Sequence, residues 1–128
     1  METTKITKLN LPRHHHYAKG KADGKGEVSF EYVTGGYNVS IDPSCSPNTK
    51  YVVACYLNSS GGKLNSTRGL SSVVNLLTNT TVSSYPYTIE GMSATVRNPV
   101  FLVTTSSNAS TFSMTILNST YYTVYKLN

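Results

Sequence analysis

Tryptophan and glutamine are absent from this 128-residue chain, cysteine occurs twice, and only six residues are acidic. Charged residues make up 13%, about half the usual share. A chain this poor in Glu, Gln, Lys and Arg lacks the residues that favour helix. No apolar run reaches the ~18 residues of a membrane-spanning helix. The opening Met1-Glu2-Thr3-Thr4-Lys5 has no apolar core of a secretory signal, so neither a membrane span nor a signal peptide is expected. The space is filled by 17 Ser, 17 Thr, 11 Asn and 10 Tyr. Tyrosine and phenylalanine supply large buriable surface, which excludes a disordered chain. Thr, Val and Tyr suit strands, and the length suits one core.

From residue 27 the side chains alternate. Val28, Phe30 and Tyr32, then Tyr37, Val39 and Ile41, are spaced by polar residues around Thr34-Gly35-Gly36, which predicts a hairpin over 27–41 ended by Asp42-Pro43. Residues 51–57 and 99–104 are apolar on both faces, as central strands are. Strands are also predicted over 112–116 and 120–127, with weaker candidates at 80–89 and 92–97. Leu70, Val73, Val74 and Leu77 fit a short helix or one more strand equally. The sum is an all-β fold, a two-sheet antiparallel sandwich of immunoglobulin-like or small jelly-roll type, with an extended N-terminal arm.

The net charge of +5 is uneven. Residues 1–26 hold Lys5, Lys8, Arg13, Lys19, Lys21 and Lys25 against two acids, whereas residues 27–128 hold five cations against four acids. The division expected is therefore a basic arm, 1–26, and a sandwich domain, 27–128. Ala18 to Gly26, rich in Gly and Lys, reads as a linker, while Lys5 to Leu11 alternates in a way that suits strand addition to a neighbouring sheet. The six cations are candidate contacts for assembly or for an anionic partner. Nucleic acid is one such anion, though the near-neutral body does not favour it.

Groups suited to catalysis are few. All three histidines, His14-His15-His16, lie in the arm. Adjacent residues on an extended chain point to opposite sides, so the run fits a solvated basic segment better than a metal site. Asp42 and Glu90 are the only carboxylates after residue 31, and a paired-carboxylate hydrolase would need both. Gly35-Gly36 and Gly61-Gly62 are isolated and form no phosphate-binding loop. Cys45 and Cys55 lack zinc spacing. They either close a short disulfide loop or remain two buried thiols. No enzyme activity, cofactor or metal is expected.

Six Asn-x-Ser/Thr sequons begin at Asn38, Asn58, Asn65, Asn79, Asn108 and Asn118, roughly twice the number chance would give. Asn38 is expected on a strand, opposite Tyr37 and Val39. The tyrosines are either rim-facing core residues or a stacking platform for sugars or single-stranded nucleic acid, with Tyr85-Pro86-Tyr87 the pair expected to be exposed.

Leu57-Asn-Ser-Ser-Gly-Gly-Lys-Leu-Asn-Ser-Thr67 and Ser106-Ser-Asn-Ala-Ser-Thr-Phe-Ser-Met-Thr-Ile-Leu-Asn-Ser-Thr-Tyr-Tyr122 resemble, in style, virion and cell-surface proteins of thermophilic archaea and their viruses. The likeness spans residues 37–128 and carries no diagnostic motif. It implies a capsid, turret, decoration or filament subunit, glycosylated and homo-oligomeric, located on a virion or an extracellular surface. With the arm reaching to a neighbouring subunit or an anionic partner, a structural role is the leading expectation. A carbohydrate- or receptor-binding sandwich is the alternative. Because so few carboxylates can lose favourable charge interactions in acid, the cooperative thermal unfolding transition followed by circular dichroism is expected to persist from pH 7 to pH 3. Its loss in that range would contradict this reading.

Overall fold

The computed structural model describes residues 6–8, 17–22 and 26–127, with side chains from residue 30 onward. Among them are twelve strands and no helix: β1 (Ile6–Lys8), β2 (Tyr17–Ala22), β3 (Gly26–Gly36), β4 (Ser40–Ile41), β5 (Lys50–Leu57), β6 (Lys63–Arg68), β7 (Leu70–Asn75), β8 (Thr80–Thr81), β9 (Tyr87–Thr88), β10 (Val100–Thr105), β11 (Ser113–Leu117) and β12 (Ser119–Leu127). They form two antiparallel sheets, ordered β1-β2-β3-β12-β5-β10-β7-β8 and β4-β11-β6-β9. This is the expected sandwich.

β5 and β10 are interior strands of the larger sheet, as their two apolar faces require. Val53, Cys55, Leu57, Phe101, Val103 and Val124 turn inward to meet Ile41, Leu64, Phe112, Met114 and Ile116 of the smaller sheet side. The alternate residues form a second cluster of Phe30, Val52 and Tyr125, with Tyr32, Val100, Leu102 and Leu127 against it. There the rings of Phe30 and Tyr32 meet Tyr125 edge-on, at 6.4 and 6.2 Å.

The hairpin predicted over 27–41 is not formed. β3 runs straight through Thr34-Gly35-Gly36 and pairs with β12, while β4 pairs with β11 in the other sheet. The glycines serve close approach rather than a turn. A Cβ at Gly35 would lie 2.9 Å from the Tyr122 carbonyl oxygen and 3.1 Å from Thr123 Cγ2, tighter than strand packing tolerates. Asn38 accordingly sits on the crossing between sheets, not on a strand.

Residues 70–77 resolve as strand β7 and a following turn. Val73 and Asn75 are buried while Leu77, the last member of the helical spacing, is exposed. The 80–89 candidate divides into β8 in the larger sheet and β9 in the smaller, with Pro86, which has no N–H for a ladder, between them. Residues 92–97 form no strand. Ser93 Oγ accepts from the backbone N–H groups of Thr95 and Val96 at 3.3 and 3.1 Å, a local turn that competes with pairing. In the arm, the residues read as a linker include β2, which pairs with β3 from Tyr17↔Glu31 to Ala22↔Gly26. β1 pairs in turn with β2.

From β3 to β12 every connection except β7–β8 passes from one sheet to the other. The β6–β7 corner is made at Gly69, whose φ is +77° and whose absent Cβ would lie 2.6 Å from the Thr111 carbonyl oxygen. Both the left-handed backbone and the contact exclude a side chain. Gly69→Ala is expected to destabilise the fold by about 2 kcal/mol and Phe101→Ala, which empties the inter-sheet core, by about 3–5 kcal/mol. Denaturant unfolding measures both, and a neutral Gly69→Ala would contradict this account of the corner.

Candidate functional site

The pairing registers place the ends of the strands at two poles. Gly36 lies beside Tyr122 and Tyr122 beside Cys55, Ser119 faces Leu57, Leu117 faces Lys63, and Phe101 faces Asn75. The turns after β3, β5, β7 and β11 therefore share one end of the sandwich, here termed the loop pole. Four sequon asparagines are there: Asn38, Asn58, Asn79 and Asn118. Asn65 lies on β6, and Asn108 lies in the β10–β11 connection at the opposite pole. All six are exposed.

Geometry differs among them. Asn38 Oδ1 accepts from the Ser40 N–H at 3.3 Å, and Ser40 Oγ lies 3.4 Å from Thr115 Oγ1. Asn79 and Asn118 hold positive φ values of 57° and 70°, which asparagine tolerates in tight turns. Asn118 is engaged twice over. Its Nδ2 donates to Ser59 Oγ at 3.2 Å, and its sequon partner Thr120 donates Oγ1–H to the Tyr56 carbonyl at 3.0 Å. Asn58 N–H donates to the Asn118 carbonyl at 3.0 Å, and Arg97 donates to the Asn58 carbonyl at 3.0 Å.

The same pole carries large apolar side chains in water: Tyr37, Val39, Leu77, Val96 and Leu117. Tyr37 is 82% exposed, and its ring lies 5.3 Å from that of Tyr121 in a tilted stack. Alternation predicted burial for Tyr37 and Val39, and nothing in the pattern marked Leu77, Val96 or Leu117 as exposed. Only the strand ends, set by register, place all five at this pole. A buried polar residue, also missed from sequence, holds this end in shape. Asn75 is fully buried and uses each of its groups: Nδ2 donates to Tyr87 Oη at 3.1 Å and the Glu90 carbonyl at 3.0 Å, and Oδ1 accepts from the Leu77 N–H at 2.9 Å.

The remaining candidates are dispersed. Asp42 follows β4 towards the opposite pole and Glu90 belongs to the loop pole, so the two carboxylates do not form a pair. Tyr85 is exposed as expected, but Tyr87 is half-buried on Asn75. Among the described residues no group of three or more His, Cys, Asp or Glu could hold a metal ion, and no helix is long and apolar enough to cross a membrane. Lys8, Lys19 and Lys21 fall on β1 and β2. Lys5, Arg13, Lys25 and His14-His15-His16 lie outside the described residues. Comparison with protein-family models, with curated proteins and with solved structures finds no match.

The disulfide alternative is not realised, for Cys45 and Cys55 are both free. Thr105 Oγ1 donates to the Ser46 carbonyl at 2.6 Å and accepts from the Thr49 N–H at 2.9 Å. These bonds hold the Cys45-Ser46 segment level with the start of β5. From Lys50 to Cys55 the strand advances about 16 Å, whereas a disulfide joins Cα atoms within about 7 Å. Burial raises both thiol pKa values, that of Cys55 to about 12. The folded state therefore keeps Cys55 protonated while the unfolded chain ionises near pH 9, so folding loses stability as pH climbs above 9 and is unaffected below it. Native protein at pH 8 is expected to leave Cys55 unreacted towards an aromatic disulfide reagent, with two thiols titrating in denaturant. Zero thiols in denaturant without reductant would show instead that the pair is bridged.

Proposed function

We propose that the chain is a non-catalytic structural subunit of a virion or an extracellular surface assembly, a capsid, turret, decoration or filament protein. Its N-terminal strands contact a neighbouring copy or an anionic partner. The observation that carries this reading is the outer edge of the larger sheet. Among the described residues β1 pairs with β2 alone, so its other side offers backbone groups with which a strand from another copy would pair.

Charge supports the same surface. Lys8, Lys19 and Lys21 fall on β1 and β2, and an anionic partner would be attracted to a segment of that net charge. The body beyond the arm is nearly neutral, which suits close approach of copies. A second reading, a carbohydrate- or receptor-binding module, draws on Tyr37, whose exposed ring is held by Tyr121 at the loop pole.

Size-exclusion chromatography with light scattering separates the two. The full chain is expected to exceed the 13.9 kDa of one copy. Removal of residues 1–26 is expected to return it to monomer. A full chain that stays monomeric across protein and salt concentrations would favour the binding module.

A further inference from the structure

The exposed apolar residues of the loop pole are not scattered with respect to its sequons. Tyr37 and Val39 flank Asn38 in the chain, and the Ile116 N–H donates to the Val39 carbonyl at 2.7 Å, one residue before Leu117. Leu77 precedes Asn79 by two residues in the β7–β8 turn. Val96 adjoins Arg97, whose guanidinium donates to the Asn58 carbonyl. Three sequons thus account for all five exposed apolar side chains of this pole. Tyr85 is the one large exposed hydrophobic that lies elsewhere. Apolar side chains left in water gain from a cover that removes them from it. A sugar attached to an asparagine Nδ2 lies over its immediate neighbours and presents the C–H face of its ring to them.

We propose that Asn38, Asn58 and Asn79 are N-glycosylated and that the sugars nearest the chain cover Tyr37, Val39, Leu117, Val96 and Leu77. The three asparagines are exposed, and their side-chain amide nitrogens have no hydrogen-bond partner among the described residues. In the transfer, Nδ2 forms a bond to C1 of the reducing sugar of a lipid-phosphate-linked oligosaccharide. The lipid phosphate departs with the bonding pair, and Nδ2 gives up one proton. Nothing is oxidised or reduced, and a cellular oligosaccharyl transferase supplies the catalysis. Asn118 is the internal control. Its Nδ2 donates to Ser59 Oγ, so this sequon stays unmodified although it lies on the same pole. The proposal is independent of the assembly reading, since a monomer would need the same cover.

Glycopeptide mapping of the protein from its native source is the direct test. Sugar on the peptides of Asn38, Asn58 and Asn79 with Asn118 bare is the expected result. An intact mass equal to that of the bare chain, or sugar confined to Asn65 and Asn108, overturns it. Covering is read separately, by enzymatic deglycosylation of the folded native protein in the presence of a fluorescent apolar dye. Fluorescence is expected to rise about two-fold or more as the patch is uncovered, and Tyr37→Ser with Val39→Ser is expected to suppress the rise. Unchanged fluorescence on deglycosylation would overturn the covering role even with the sites occupied.

Discussion

Val53, Phe101, Val103 and Val124 on the larger sheet meet Leu64, Phe112, Met114 and Ile116 on the smaller, and the rest of the molecule follows from keeping those two faces together. Neither sheet is continuous in sequence. Because the chain crosses between layers at almost every connection, each strand enters the core beside partners distant in the chain. The inter-sheet contact cannot be lost without undoing the ladders themselves. Such non-local pairing carries loop-closure entropy before its contacts form. Turns that fit tightly, at Gly69 and at the positive-φ asparagines Asn48, Asn79 and Asn118, limit how much chain each crossing must order.

The same crossings create a polar problem. A chain that leaves one sheet for the other exposes backbone groups at the rim of the core, where an unpaired donor or acceptor is costly. Thr105 and Asn75, both fully buried, meet that cost at opposite poles. Thr105 ties the segment before β5 to the end of β10, and Asn75 joins the β7 turn, Tyr87 and Glu90. No buried side-chain polar atom among the described residues is left without a partner. The sheet rims are managed by brevity as well, with β4, β8 and β9 of two residues each, a length that offers little template for edge pairing.

How much of this was legible in the sequence depended on whether burial or connectivity decided the answer. Residues 51–57, 99–104, 112–116 and 120–127 read correctly as β5, β10, β11 and β12 because their side chains report directly on one or two buried faces. The 27–41 hairpin failed although its alternation was equally clean. Alternation says that a segment is extended, not which strand it pairs with, and Gly35-Gly36 looks the same whether glycine serves a turn or a close approach to Tyr122. For the site, the sequons were visible as triplets. Their gathering at one pole with Tyr37, Val39, Leu77, Val96 and Leu117 depends on registers such as Ser119↔Leu57 and Leu117↔Lys63, which join residues far apart in the chain and leave no local signature. Asn75 was invisible for a related reason, since its partners Tyr87 and Glu90 come from a different layer and loop.

The two poles differ in the kind of neighbour each can accept. At one end the larger sheet runs out into β2 and β1, and an incoming strand on β1 would gain backbone hydrogen bonds. At the other end the backbone is closed by turns and the apolar side chains are interleaved with asparagine sequons. Bulky, mobile sugar on that end would be incompatible with a close-packed contact, because ordering it costs conformational entropy and burying its hydroxyls costs hydration. If both proposals hold, the contacts between copies are restricted to the ribbon end and the sheet rims, and every copy must point its loop pole to solvent. Such a subunit has one outward direction built into its strand registers, which is a physical requirement for a shell or a filament whose outer surface differs from its contacts.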